Sequence, residues 1–382
     1  VHDVGIVGAG PAGSACAISL LQRRRDLSVV IIDRDILPRA KSCGDLISPV
    51  ARARLSALGL EVNARWRATE HMIASPSGVE DAASQEPESP WLQCRVVERR
   101  DFDLALLDQA RALGASVMQG SRFLGARETS HGWALRMHGS VAQVGILVGA
   151  DGATSHVARS IGCPAPAQGA VALRGYAVIT RGGVPWTGTR MDFLPSLLPG
   201  YGWAFSVDET GRANIGVGRG VREAREEATS LHDVLAAYLA HLRGLGFDVS
   251  PVDEVRGGLL ATAPRERVTA QRAALIGDAA GLVSPVDGEG ISMALASGAR
   301  LGGILAEVDP ADDLSVRQGL RAYSDWIELR VLPQLQRAQR IATWLRNPVV
   351  TEQVLAHDGC ARYALLASGR MQPLREFIAS GS

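Results

Sequence analysis

Three glycines at fixed spacing, answered by one acid, carry the first recognisable chemistry of this chain. Gly8-Ala9-Gly10-Pro11-Ala12-Gly13 follows a short apolar run, Asp3–Val7, and leads into a helix-compatible stretch, Ser14–Gln22. A second apolar run, Leu27–Ile32, ends at Asp33, twenty residues after Gly13. Strand, glycine turn, helix, strand and acid in that order form a dinucleotide-binding unit. Gly8 permits the tight turn, Gly10 lets a pyrophosphate approach the backbone, and Gly13 lets helix and strand pack closely. The helix N-terminus offers free N–H groups to the anion. Asp33 is placed to accept hydrogen bonds from a pair of ribose hydroxyls. The pattern alone does not say which dinucleotide is bound.

Other residues could act on what is bound. Lys41 is the single lysine among 40 basic side chains. A compact point charge suits places where arginine's planar fork does not fit, and a chance surface survivor is the plain alternative. Cys43 follows two residues later, a candidate proton donor or an inert packing residue. Tyr201 and Trp203 alternate along a strand-like run, so their side chains share one face. That face either walls an apolar cavity or is ordinary sheet core. Eight histidines (His2, His71, His131, His138, His156, His232, His241 and His357) are scattered and form no catalytic set. Five cysteines (Cys16, Cys43, Cys94, Cys163 and Cys360) lie far apart, without metal-ligand spacing. They read as reduced thiols, and no metal site is expected. A GxxxxGK[ST] loop is absent, which removes support for nucleoside triphosphate chemistry.

These residues need a frame. Residues 97–115 contain Arg99-Arg100-Asp101-Phe102-Asp103 and then Leu104, Leu107, Ala110 and Leu113 at helical spacing, closed by Gly114. Ile146–Val148 runs into Gly149-Ala150-Asp151-Gly152-Ala153-Thr154-Ser155, and Ala273–Ile276 runs into Gly277-Asp278-Ala279-Ala280-Gly281. Apolar strands at three separate places thus enter glycine turns, which in an open α/β sheet gather at the carboxyl ends where ligands bind. Residues 66–95 and 167–262 instead alternate, as in Ala170–Thr180, Gly202–Val207 and Ala213–Val217, and predict a half-buried antiparallel sheet. From Ser315 to Phe377 the spacing is helical, punctuated by Pro333 and Pro348.

The 382 residues are long enough for two to three domains or one composite body. Hydrophobic residues make up 46% and charged residues 21%, too apolar for a disordered chain. Forty basic side chains balance forty acidic ones, which argues against a chain-wide nucleic-acid footprint. No apolar run reaches the length of a spanning helix. The first strand begins within a few residues of Val1, so no signal peptide is expected there.

Taken together the motifs resemble the FAD-dependent oxidoreductases that include p-hydroxybenzoate hydroxylase, flavin halogenases and geranylgeranyl reductases. Gly8–Gly13 with Asp33 resembles their FAD fingerprint. Residues 149–155, continued by Arg159, resemble their Asp-Gly motif. Gly277-Asp278-Ala279-Ala280 with Pro285 resembles their second FAD motif. Within this group the chain is most similar to the geranylgeranyl reductase branch. The similarity is carried by Lys41-Ser42-Cys43-Gly44, Arg99 with Phe102-Asp103, Pro199–Phe205, and Pro285-Val286-Asp287-Gly288-Glu289-Gly290-Ile291. Two positions depart from that branch: Ser206 follows Phe205 where proline is usual, and Asp45 follows Gly44 where a second glycine is common.

The resemblance implies an α/β fold. It comprises a Rossmann-like FAD-binding domain of the glutathione reductase type (1–65, 96–166 and 263–312), an inserted antiparallel β substrate domain (67–95 and 167–262) and a helical C-terminal region (313–382). It implies FAD held by Gly8, Gly10, Pro11, Ala12, Gly13, Asp33 and Arg34 on the first motif. Cys43, Gly44, Arg99, Asp151, Gly152, Gly277, Asp278, Pro285, Gly288, Glu289, Gly290 and Ile291 complete the set. The stretch Asp287–Ile291 should aim a helix N-terminus at the flavin, where N–H groups stabilise the negative charge of the reduced ring. Glu289 is then awkward, and its side chain should turn away or pair with an arginine. Lys41, Cys43, Tyr201 and Trp203 are the candidate catalytic residues.

The implied reaction is reduction of a carbon–carbon double bond in an isoprenoid, polyene or secondary-metabolite intermediate. The alternative is a monooxygenase that hydroxylates or epoxidises after oxygen meets reduced FAD, with a halogenase ranked last. NAD(P)H or a donor protein would supply electrons transiently. The expected partner is a hydrophobic small molecule rather than a nucleic acid. The expected location is cytoplasmic, with contact at a membrane surface left open. The C-terminal helices could cover the pocket, pair two copies or rest on a lipid surface.

Overall fold

The computed structural model describes residues 1–61, 68–82, 94–163, 169–226 and 229–367. Two sheets organise them. The first has eight strands and is mixed. Its parallel body runs Ala273–Leu275, Ser140–Gly149, His2–Val7, Val29–Ile32 and Ser116–Met118. Thr269–Ala270 pairs antiparallel at one edge, and Phe123–Thr129 with Gly132–Met137 forms an antiparallel extension of the longest strand.

Register explains why the motifs meet. Val7 lies opposite both Gly149 and Ile32, and Gly149 opposite Leu275. The carboxyl ends of four parallel strands are therefore level. The turns that follow them, at Gly8, Asp33, Ala150 and Ile276, open on one edge of the sheet. The helix Pro11–Leu21 is buried along its whole length. It lies between the sheet and the helix Ile291–Leu305, whose Gly298 and Gly302 have no room for a Cβ against the backbone carbonyls of Ala12 and Cys16. That close crossing brings two helix N-termini to the same edge.

The second sheet has nine strands. Its path is Val184–Pro185, Ala170–Arg181, Arg212–Gly220, Tyr201–Ser206, Thr189–Asp192, His71–Ala74 and Glu80–Ala82, with Phe247–Val249 and Asp253–Leu260 also on Ala170–Arg181. The sequence pattern predicts an antiparallel, half-buried sheet; the strand pairs are antiparallel but for one, and the burial is corrected. Thr189–Asp192 pairs parallel with His71–Ala74, because the latter arrives from a separate stretch of chain and not through a hairpin. Both faces of the central strands are covered. One face carries Leu173, Ile215 and Val217 and packs on Leu235, Tyr238 and Leu242. The other carries Ile73, Met191, Trp203 and Phe205 and packs on Ile341, Val354 and Tyr363.

The helix that supplies Leu235, Tyr238 and Leu242, Leu231–Gly244, falls where the sequence reading expects only strands. Ser230 caps it by accepting from the Asp233 amide. Its signal was an apolar spacing of three and four inside a region whose flanks alternate.

The C-terminal region is helical as the spacing predicts: Asp313–Trp326, Leu332–Trp344, Pro348–Leu355 and Gly359–Ala367. The rest of the expected stretch to Phe377 lies outside the described residues. Pro348 opens its helix. Pro333 does not end one. Instead Ile327–Val331 forms a π-helical turn that joins two helices without a loop. Pro333 has no N–H to donate to the carbonyl of Leu329, so the regular ladder is broken at that point in any case. Ahead of the turn, Val316, Leu320 and Tyr323 face the first core; beyond it, Leu335 still joins that core, while Ala338, Ile341 and Ala342 face the second. All five cysteines are free thiols. Among the described residues, no helix is long and apolar enough to cross a membrane.

Candidate functional site

The level carboxyl ends of the first sheet face the aromatic side of the second across a cavity of about 1800 Å³. This exceeds the roughly 300–1,000 Å³ of an ordinary small-molecule site, as a dinucleotide lying beside a second molecule would require.

At the sheet edge the glycine turn has the expected construction. Gly8 has φ of 112°, in the left-handed region, and a Cβ there would overlap the Ala150 carbonyl. A Cβ on Gly13 would overlap the carbonyl of Gly8. A Cβ on Gly10 would meet no protein atom within 4 Å, because it would project into the cavity. A cradle with space kept open only at the middle glycine fits a pyrophosphate resting on the helix N-terminus. Gly8, Gly10, Pro11 and Ala12 line the cavity, while Gly13 lies behind them. The Asp33 carboxylate accepts from the amides of Ala9 (2.6 Å) and Asp35 (2.9 Å) and lines the same space beside Arg34. It therefore braces the turn while lining the cavity.

Asp151 has a different part to play. Its carboxylate accepts from the Ser155 hydroxyl at 2.5 Å and from the amides of His156 and Val157 at 2.7 and 3.1 Å. Ser155 is the N-cap of the short helix His156–Ser160, accepting from the Ala158 amide, so Asp151 takes the helix's first two amides and orients its cap; Gly152, at φ of 80°, lines the cavity beside it. Gly277–Ala280 is a 3₁₀ turn with Gly277 behind the wall and Asp278 on it. Asp278 thus lies inside the turn and does not cap it.

The loop Pro285–Gly290 brings Pro285, Gly288, Glu289 and Gly290 to the cavity and ends at Ile291, the first residue of Ile291–Leu305. The Glu289 carboxylate turns back onto its own helix, accepting from the Ser292 amide (2.6 Å) and hydroxyl (2.5 Å). Burial pushes its carboxyl up to about 7 and the Asp287 carboxylate adds to this, against the pull of Ser292 and Arg54. Arg54 bonds the Ser292 carbonyl from the side. The helix N-terminus thus faces the cavity with its nearest acid occupied.

Lys41, Cys43 and Gly44 cross the cavity wall together. Burial lowers the Lys41 ammonium below its ordinary value, with Arg99 and Arg39 adding to this and Asp278 opposing it. Among the described residues it has no salt-bridge partner. Burial raises the Cys43 thiol, so it is neutral and keeps its proton near neutral pH. Arg99 is held by a two-pronged bond to Asp103, at 2.8 and 3.0 Å. From the second sheet, Tyr201 and Trp203 project into the same wall. Tyr201 donates to the Asp287 carbonyl, and the Trp203 indole donates to Asn214 at 2.9 Å. They are also members of the second core, so cavity wall and sheet core are one structure here.

Of the roles left open for the C-terminal helices, covering the pocket is the one the structure displays, and one further feature escaped the sequence reading. Residues of the C-terminal helices, among them Gln334, Leu335, Ala338, Tyr363 and Ala364, close the cavity on its far side. Behind the Lys41–Gly44 segment stands a buried polar set, Asp45, Tyr176, Asn214 and Arg174. Burial pushes the Asp45 carboxyl up to about 6, opposed by Tyr176, Asn214, Arg174 and Arg99.

Comparison with known proteins agrees with this construction. The model of the FAD binding domain family matches residues 2–325. A menaquinone reductase of Mycolicibacterium smegmatis is 34% identical over 319 residues, covering 78% of this chain and 74% of that protein. A digeranylgeranylglycerophospholipid reductase of Methanothrix thermoacetophila is 28% identical over 334 residues, covering 84% and 81%. The fold is that of a geranylgeranyl bacteriochlorophyll reductase-like protein from Thermoplasma acidophilum, with a TM-score of 0.79 and 23% identity over 99% of this chain and 98% of that one.

Proposed function

Because the chain belongs to the FAD binding domain family and is an FAD-dependent oxidoreductase, we propose that it reduces a carbon–carbon double bond in a hydrophobic, isoprenoid-bearing molecule. The observation that carries this is the far half of the cavity. It is built from Tyr201, Trp203, Leu335 and Ala338, and it faces the glycine turns across one continuous space. An apolar chain can lie there out of water while the dinucleotide occupies the sheet edge. The relatives named as reductases of menaquinone and of a digeranylgeranyl lipid support the same substrate class.

In this reading FAD, when bound, supplies the hydride. The chain's residues bind, orient and neutralise. Gly10 and the Pro11–Leu21 helix hold the pyrophosphate, and Asp33 holds the ribose. The N-terminus of Ile291–Leu305 and the Lys41 ammonium place positive potential where negative charge develops. The aromatic wall excludes water. Cys43, whose thiol keeps its proton, or Tyr201 on the same wall is the proton source for the reduced carbon. The finer architecture we assign is a glutathione reductase-type nucleotide domain (1–65, 96–166, 263–312) carrying an inserted sheet domain (67–95, 167–262), with 313–382 as the closing region. NAD(P)H or a donor protein reduces the enzyme transiently, and a peripheral membrane position would suit a lipid substrate.

The test is direct. The FAD-loaded protein is reduced anaerobically with dithionite and given a menaquinone with a short polyprenyl chain. The product is then read by mass spectrometry. Gain of two hydrogens on the chain supports the proposal. A product that forms only when oxygen is admitted, and gains an oxygen atom, assigns a monooxygenase instead.

A further inference from the structure

The segment Lys41–Asp45 is gripped from behind the cavity wall. Arg174 donates to the Lys41 carbonyl at 2.7 Å, and the Asn214 amide donates to the Cys43 carbonyl at 2.8 Å. Asp45 has φ of 63°, a left-handed backbone that favours glycine, and glycine is what the resembling branch commonly carries there. This chain instead has a fully buried carboxylate at that position. One of its oxygens accepts from the Tyr176 hydroxyl at 2.5 Å and from the Asn214 amide at 2.8 Å. The other is buried and has no partner among the described residues.

Asn214 is the joint. Its two amide hydrogens go to Cys43 and Asp45, and its oxygen accepts the Trp203 indole N–H. The Cys43 carbonyl and the Trp203 indole N–H determine which end of the amide faces which way, and Asp45 takes its second amide hydrogen, so all three bonds together hold the amide in place. Backbone in the left-handed region and a half-satisfied buried carboxylate are both unfavourable alone. The fold keeps both at one residue, directly behind Cys43 and Trp203.

We propose that Asp45 is a positioning residue that, through Asn214, fixes the Cys43 backbone and the Trp203 indole relative to each other and so sets the shape of the substrate end of the cavity. The inference rests on the reading above that this wall meets substrate. It concerns residues outside the cavity surface.

The experiment uses the FAD-loaded full chain in parent, Asp45→Ala, Asp45→Asn and Tyr176→Phe forms. Iodoacetamide labelling of Cys43 and of the core residue Cys16 is timed by peptide mass spectrometry. Solvent exchange of the Trp203 indole N–H is followed by NMR, its signal assigned with Trp203→Phe. Asp45→Ala should raise both the Cys43 labelling rate and the indole exchange rate about tenfold or more, as local opening does. Asp45→Asn should stay within about twofold of the parent, since its amide oxygen can take both donors. Cys16 should stay unlabelled. Parent-like Cys43 and Trp203 in Asp45→Ala overturn the proposal. So does labelling of Cys16 in step with Cys43, which marks general loosening. Should Asp45→Ala fail to fold, Tyr176→Phe decides, with about a threefold rise expected from the loss of one hydrogen bond and the parent rate overturning it. FAD content, read from absorbance in every sample, tests the cofactor reading separately, and labelling rates are compared between samples at equal FAD occupancy, because Cys43 lines the same cavity.

Discussion

The Tyr201 hydroxyl donates to the backbone carbonyl of Asp287 at 2.5 Å. One residue belongs to the strand Tyr201–Ser206 of the second sheet, the other to the loop that delivers the helix Ile291–Leu305. The bond therefore ties the wall proposed for substrate to the helix end proposed for flavin. Tyr201→Phe keeps the ring but leaves a buried carbonyl without its donor, and should lower stability by about 1–2 kcal/mol. FAD affinity should fall only a few-fold. Urea unfolding midpoints check the first expectation and fluorescence titration the second. An unchanged midpoint would show that the bond contributes nothing.

Gly10 and Gly13 separate binding from folding. Gly10 is extended, with φ of −77° and ψ of −175°, and its Cβ direction is open. Stripped of FAD, Gly10→Ala should melt at the parent temperature, yet it should bind FAD about tenfold more weakly or worse, a loss of ~1.4 kcal/mol or more. Gly13→Ala should lose stability outright, because its Cβ overlaps the Gly8 carbonyl. Equal effects of the two substitutions on melting and on FAD would contradict the open-cradle reading.

Lys41→Met preserves the aliphatic stem and removes the charge. With positive potential lost from the wall, the flavin midpoint potential should drop, and turnover should fall by about one to three orders of magnitude. Lys41→Arg should recover only part of this, since a planar fork needs more room. Potentiometry followed by visible absorbance gives the answer. A potential equal to the parent's in both variants removes Lys41 from the site.

Glu289 should make stability depend on pH. Its carboxyl stands at about 7 in the fold, above its ordinary value of 4.5. The folded state thus keeps a proton that the unfolded chain releases between these values. That contribution is fully present below about pH 4.5 and is lost as pH rises to about 7, up to about 3 kcal/mol in all. Glu289→Gln lacks the titration. Its stability relative to the parent should rise across this window and level off above it. Urea unfolding from pH 4.5 to 8 measures the difference, and a constant offset would refute the assignment.

The parts of the site that lie close together in sequence were legible. Gly8, Gly10 and Gly13 act within a single turn, and Asp33 reaches back only to Ala9, so type and spacing determine their geometry. Helical spacing likewise announced the C-terminal helices. It could not say which face docks where, because that depends on packing against Met191 and Phe193 far away in the chain. Asp45 shows the limit most clearly. Its departure from the usual glycine was visible, but its partners Tyr176 and Asn214 lie 131 and 169 residues away. Nothing local distinguishes a buried carboxylate from a loop acid. Glu289 is intermediate: the conflict between its charge and a reduced flavin was readable, whereas its resolution by Ser292, three residues on, needed the helix end to be placed.

The π-helical turn at Ile327–Val331 works as a phase shifter. An α-helix advances about 100° per residue, and a π turn accommodates one residue more than the regular ladder would. The helix before it faces the nucleotide-side core, and the helix after it, whose Leu335 still belongs to that core, turns Ala338, Ile341 and Ala342 to the cavity wall, along what is nearly one rod. Deleting a single residue there would leave every helical residue type intact and every propensity unchanged. It would nevertheless swing Ala338, Ile341 and Ala342 away from the second core by roughly a quarter turn or more. The shape of the chamber is thus encoded partly as an angle, in the count of residues between two cores, and that count is as consequential as the identity of any side chain that lines it.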